Sequence, residues 1–135
     1  MSKKIRYLTE LDVARLEKCA DEPGAAPARQ AMLDELLEQA VIVEPREVGA
    51  NVVTMNSQVT LVNERNGETL TYTVVYPQSA NVDAGRLNVF SPAGLALLGA
   101  KRGNTVRFTT PSGAVETLKI ERILFQPESS NDFTL

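Results

Sequence analysis

The hydrophobic period of this chain changes once, near residue 50, and the change limits what each side of it can fold into. Before it, apolar residues recur at helical spacing: Val13, Leu16 and Ala20, then Leu33, Leu36, Ala40 and Val43, with Met32 and Leu37 broadening the second stripe. Residues three and four apart share one face of an α-helix, so each run predicts an amphipathic helix. Leu8, Thr9, Asp12 and Val13 supply an N-cap, a shortened capping-box partner and a hydrophobic staple for the first. Asp21-Glu22-Pro23-Gly24 stops it, and Pro27 suits the first turn of the second. Two helices of roughly 12 and 16 residues, about 18 to 24 Å long, are expected to pair antiparallel as a short coiled coil. Pro45 bars further helix, which makes residues 44–51 a linker.

From Val52 the period becomes two. Val59 and Leu61 mark one face of a strand that ends near Asn63, and Asn66-Gly67 offers a pair of positive-φ residues for a hairpin turn. Leu70, Tyr72, Val74 and Tyr76 mark the return strand, which Pro77 ends. A polar loop leads to Arg86–Phe90. Val106 and Phe108 point inward from a strand over 105–109, and a turn at Pro111-Ser112-Gly113 leads into a long last strand, 115–125. Its apolar positions change parity between Leu118/Ile120 and Ile123/Phe125, which predicts a β-bulge near Glu121-Arg122.

One short helix is punctuated within this β-rich half. Ser91 has the hydroxyl an N-cap needs, Pro92 fits the first helical position, and Gly99 suits a left-handed residue just past the end. Leu95 and Leu98 share a face, so the helix is expected to lie on a sheet. The fold class is α+β: a helical hairpin over 1–47, then an antiparallel sheet domain with one short helix over 48–135.

The run Ser91-Pro92-Ala93-Gly94-Leu95-Ala96-Leu97-Leu98-Gly99-Ala100-Lys101-Arg102-Gly103-Asn104-Thr105-Val106 resembles the signature of the C-terminal domain shared by the GreA and GreB transcript-cleavage factors. Val52-Val53-Thr54-Met55-Asn56-Ser57, Val75-Tyr76-Pro77 and Phe125-Gln126-Pro127-Glu128 narrow it to the branch of regulators of nucleoside diphosphate kinase. The resemblance covers residues 48–135 well and the first 47 loosely. Asn104 stands where the family usually has Asp, a place at which a neutral side chain still caps or turns. The resemblance implies an FK506-binding-protein-like (FKBP-like) domain and RNA polymerase as partner, held near its secondary channel in competition with Gre factors. The domain would grip the channel rim while the hairpin enters partway. Any effect on nucleoside diphosphate kinase would be indirect.

Composition narrows the chemistry. The chain has no His, which excludes imidazole bases and His-ligated metals. The single Cys19 cannot form an internal disulfide, and no charged start followed by an apolar run suggests export, so a cytoplasmic location is expected. Residues 1–47 carry 7 Lys/Arg against 10 Asp/Glu and residues 48–135 carry 7 against 7, so neither half offers the basic stripe that free nucleic acid requires. No apolar run approaches a membrane span of about 20 residues. There is no Gly-x-x-x-x-Gly-Lys phosphate loop. No cofactor, metal site or catalytic residue is expected, and the chain is not expected to be an enzyme.

Four residues remain as candidates for partner binding. Ser91 and Pro92 match the motif on the face with which the resembled domain grips the polymerase. Asp21 and Glu22 occupy the hairpin turn, where the cleavage factors carry acidic residues that help hold magnesium. Two carboxylates can hold Mg²⁺, but an arm this short stops far from the active centre, and acids in a turn are ordinarily solvated. Transcript cleavage through Asp21 and Glu22 is therefore the alternative function. A further one is prolyl isomerisation or chaperoning, which needs an aromatic-lined pocket; the chain lacks Trp, and strand cores are expected to consume most of its Tyr and Phe. Phe90 is expected to fill the core, Cys19 to be a structural thiol with a raised pKa, and Lys101-Arg102, with Arg107 or Lys119, to be solvated.

Overall fold

A computed structural model describes residues 6–25, 27–110 and 112–130. A strand β1 (Arg6–Thr9) runs directly into helix α1 (Glu10–Ala20). Thr9 is the N-cap, its hydroxyl accepting from the Asp12 amide at 3.0 Å, and Leu8 and Val13 are both buried as the staple requires. The turn after Ala20 gives way to α2 (Pro27–Glu38), with Pro27 opening the helix. At 11 and 12 residues the two helices are about 16 to 18 Å long.

The second helix is shorter than its apolar rhythm predicted. Ala40 and Val43, which extend the Leu33/Leu36 spacing, belong to a strand β2 (Ala40–Val43) that pairs in parallel with β1, Arg6 opposite Ala40 and Thr9 opposite Val43. The β-branched run Val41-Ile42-Val43 prefers extended backbone. That local preference, with pairing to β1, outweighs the continuing stripe. The hairpin thus rises from a two-stranded parallel base.

The second sheet holds β3 (Gln58–Asn63), β4 (Thr69–Val75), β5 (Arg86–Asn88), β6 (Thr105–Thr109) and β7 (Val115–Phe125) in the order β5-β4-β3-β7-β6. The expected antiparallel hairpins β3–β4 and β6–β7 are present. β5 departs from expectation by pairing parallel to β4, so the sheet is mixed at that edge. The 77–85 crossover, with two 3-10 turns, carries the chain back to run in the same direction. Along β7 the register with β3 skips Glu121, and a second time Leu124, which explains the change of parity. In the β3–β4 turn only Gly67 has positive φ (73°), and Asn66 instead accepts the Glu68 amide on its side chain. Pro111 lies outside the described residues.

Helix α3 (Pro92–Leu97) is built as its sequence spells. Ser91 Oγ accepts from the Gly94 amide at 3.1 Å, and Gly99 takes φ 81° beyond the end. A side chain at Gly94 would put its Cβ 2.3 Å from the Asn88 carbonyl, and one at Gly99 would meet Arg6 Cβ at 2.9 Å. These two glycines let α3 sit tightly on β5 and on β1. Leu97 and Leu98 are fully buried, while Leu95 is half-buried.

The apolar core is continuous. Val13, Leu16, Cys19, Leu33 and Leu36 of the hairpin share one buried cluster with Met55, Leu61, Tyr76, Phe90 and Ile120. The hairpin therefore lies along the sheet domain. The expectation of an arm standing off the domain is corrected here, because a face this apolar is buried at home and not left to solvent.

Candidate partner face and hairpin clasp

Ser91 and Pro92 are half-exposed at the start of α3. Phe90, just before them, is 7% exposed and fills the core as expected. The Arg29 guanidinium lies over its ring, 5.4 Å from the centroid. That same guanidinium reaches Glu22 at 4.0 Å and donates to the Cys19 carbonyl at 3.3 Å. Arg29 thereby links Glu22 of the hairpin turn to Phe90, the residue before the Ser91-Pro92 start of α3. Farther along α2, Met32, Glu35 and Leu36 line a cavity of about 230 Å³ with Pro92, Leu95 and Phe108.

Asp21 and Glu22 are exposed, and no grouping of three or more His, Cys, Asp or Glu able to hold a metal exists among the described residues. Cys19 is buried, and desolvation, with Glu22 adding to it, pushes its thiol pKa up. The direction matches expectation, with burial the larger cause and the Glu22 charge the smaller. Lys101 is not simply solvated: its Nζ lies 4.6 Å from the centre of the Tyr7 ring. Asn104 accepts the Lys101 amide on its side chain at 3.0 Å, the turn role open to a neutral residue there. Tyr72 and Phe108 are only half-buried and line a cavity of about 380 Å³ with Leu70, Leu87 and Leu118, so the strand cores do not consume them.

A second feature escaped the sequence. Asp12, read as a partner for its own N-cap, is 1% exposed, and its Oδ2 accepts from the amide of Met55 at 3.1 Å, 43 residues away. The flanking Thr54 amide donates to Ser57 Oγ at 3.0 Å, and the Thr54 hydroxyl donates to Glu128 Oε1 at 2.6 Å. Asn56 holds φ 65°, the only non-Gly residue with positive φ among those described, and this bend lets consecutive positions face α1 and the chain end. Gln126 closes the arrangement by donating to the carbonyls of Gly49 and Val52, both at 2.8 Å. The Val52–Ser57 and Phe125–Glu128 motifs therefore clasp the base of α1. Burial raises the Asp12 pKa to about 7, aided by the nearby Glu128 charge and opposed by the Met55 and Thr9 hydrogen bonds and by Arg15. Burial likewise pushes the Tyr76 phenol up and the Arg6 guanidinium down. Arg6 donates to the carbonyls of Ala96 and Leu98, tying β1 to the end of α3.

Comparisons with known proteins agree with this architecture. Residues 48–125 match the family model "Transcription elongation factor, GreA/GreB, C-term". The regulator of nucleoside diphosphate kinase of Escherichia coli K12 is 33% identical over 137 residues, covering all of both chains. GreA of Sulfurovum sp. is 33% identical over 113 residues, 84% of this chain and 69% of that protein. Among solved structures, a GreA/GreB elongation factor from Nitrosomonas europaea superimposes with a TM-score of 0.72 at 31% identity, over 91% of this chain and all of that one. No helix among the described residues is long and apolar enough to cross a membrane. The chain belongs to the GreA/GreB transcription elongation factor family and resembles, along its whole length, that family's regulator of nucleoside diphosphate kinase branch.

Proposed function

We propose that this protein is a non-catalytic transcription regulator that binds RNA polymerase near the secondary channel and competes there with Gre factors. In this reading the half-exposed Ser91-Pro92 start of α3 is the face that meets the polymerase, with Asp21 and Glu22 of the hairpin turn as further contacts; Glu22 is linked through Arg29 to Phe90, just before that face. The observation that carries the reading is the docking of the hairpin on its own domain. A hairpin of about 16 to 18 Å whose apolar stripe is buried at home has no spare length with which to bring carboxylates to a distant reaction centre. Blocking is thus the work of the compact body, without an inserted arm. An influence on nucleoside diphosphate kinase, named for the Escherichia coli relative, is indirect in this scheme.

Binding to core polymerase tests the proposal. Association at micromolar concentration is expected, and Pro92→Arg should weaken it by roughly tenfold, about 1.4 kcal/mol, with the thermal transition unchanged. Absence of binding at that concentration contradicts the reading. A proline-containing peptide checks the isomerase alternative that an FKBP-like fold would bring: no acceleration of its cis/trans exchange is expected, and a clear one would redirect attention to the Tyr72/Phe108 cavity.

A further inference from the structure

The attachment of the hairpin to the sheet domain passes through a buried carboxyl group that accepts a hydrogen bond from the Met55 amide. Asp12 reaches the Met55 amide from the first turn of α1, and it is the side chain that bonds this helix to the Thr54–Ser57 bend. The charged and titratable groups around it come from three elements: Arg15 on its own helix, Tyr76 at the end of β4, and Glu128 in the C-terminal 3-10 turn. Glu128 is held in place by the Thr54 hydroxyl at 2.6 Å. A second negative charge is therefore fixed beside the first by the same bend that supplies the amide. Such a pair in a poorly hydrated site favours the neutral form of one partner.

We propose that Asp12 is a proton-operated latch: neutral, it holds α1 against the Thr54–Ser57 bend; ionised beside Glu128, it loosens the hairpin from the domain. The ionised state of Asp12 needs water or a cation, and the nearest route to either is separation of α1 from the bend. Below neutrality the hairpin is closed. As pH rises through about 7 the buried group ionises, and the hairpin opens more often at its base.

Cys19 provides a built-in reporter, since it lies on the same helix and is 7% exposed when the hairpin is docked. The full-length protein is treated with a maleimide between pH 5.5 and 8.5, alongside Asp12→Asn, which keeps the shape and the acceptor but cannot ionise. Thiolate formation raises both rates with pH, so the ratio of wild type to Asp12→Asn isolates the latch. That ratio should rise by about threefold or more, halfway near pH 7. Glu128→Gln removes the neighbouring negative charge, so Asp12 ionises more readily and the midpoint of opening should move to lower pH, read both by the thiol-labelling ratio and by exchange of the Met55 amide. A ratio that stays flat with pH, or a midpoint that Glu128→Gln leaves in place, would overturn the proposal.

Discussion

At the scale of single residues, two positions carry the sharpest expectations. Gly94 is where α3 touches the backbone of β5, with the Asn88 carbonyl 2.3 Å from where a Cβ would stand. Gly94→Ala forces the helix off the sheet and should cost about 1–3 kcal/mol, measured by denaturant unfolding. Asp12 governs how stability changes with pH. Unfolded, its carboxyl titrates near the ordinary value of 3.8; folded, it keeps its proton to about 7. Between those values the folded state binds more protons, so this group's stabilising contribution is whole below about pH 4 and is lost as pH rises through 7. The thermal midpoint should therefore decline from pH 5 to pH 8, and Asp12→Asn should remove that part of the slope. The sequence showed Thr9 as an N-cap and Ser91 as another because a cap's partner lies three residues away. It could not show that Asp12 serves Met55, since nothing local marks a bond across 43 residues.

At the scale of elements, local rules reached the hairpins and missed the parallel pairings. β3–β4 and β6–β7 are joined by short turns, and α3 has both its signals in one run of residues, so each was legible. β1 and β2 were not. Arg6–Thr9 is four residues long with a cap at its end, and Ala40–Val43 continues the helical spacing of Leu33 and Leu36, so only their mutual pairing distinguishes them as strands. β5 has the same character: three residues whose parallel partner lies across a crossover. The attachment of the hairpin follows from the stripe that was read correctly. Leu33 is 1% exposed in the shared cluster, and Leu33→Ala should cost about 2–5 kcal/mol. Arg29→Ala, by contrast, removes a half-exposed contact with Phe90 and a long ion pair, and should cost about 1 kcal/mol or less by the same unfolding measurement.

At the scale of the whole molecule, the buried seam between hairpin and sheet decides how the protein can act. The sequence supplied the two parts and the family resemblance, but amphipathic helices bury their stripe equally well against each other or against a sheet. Which of these occurs depends on Met55, Tyr76 and Phe90, all distant in the chain. With the stripe spent on its own domain, the protein is a compact body with the start of α3 half-exposed on it. The most direct measurement uses a backtracked elongation complex to which GreA is added with increasing amounts of this protein. The account predicts that GreA-dependent RNA shortening falls as the protein is titrated in, and that the protein alone shortens no RNA. Shortening by the protein alone, abolished by Asp21→Ala or Glu22→Ala, would contradict it, as would GreA activity that no amount of the protein reduces.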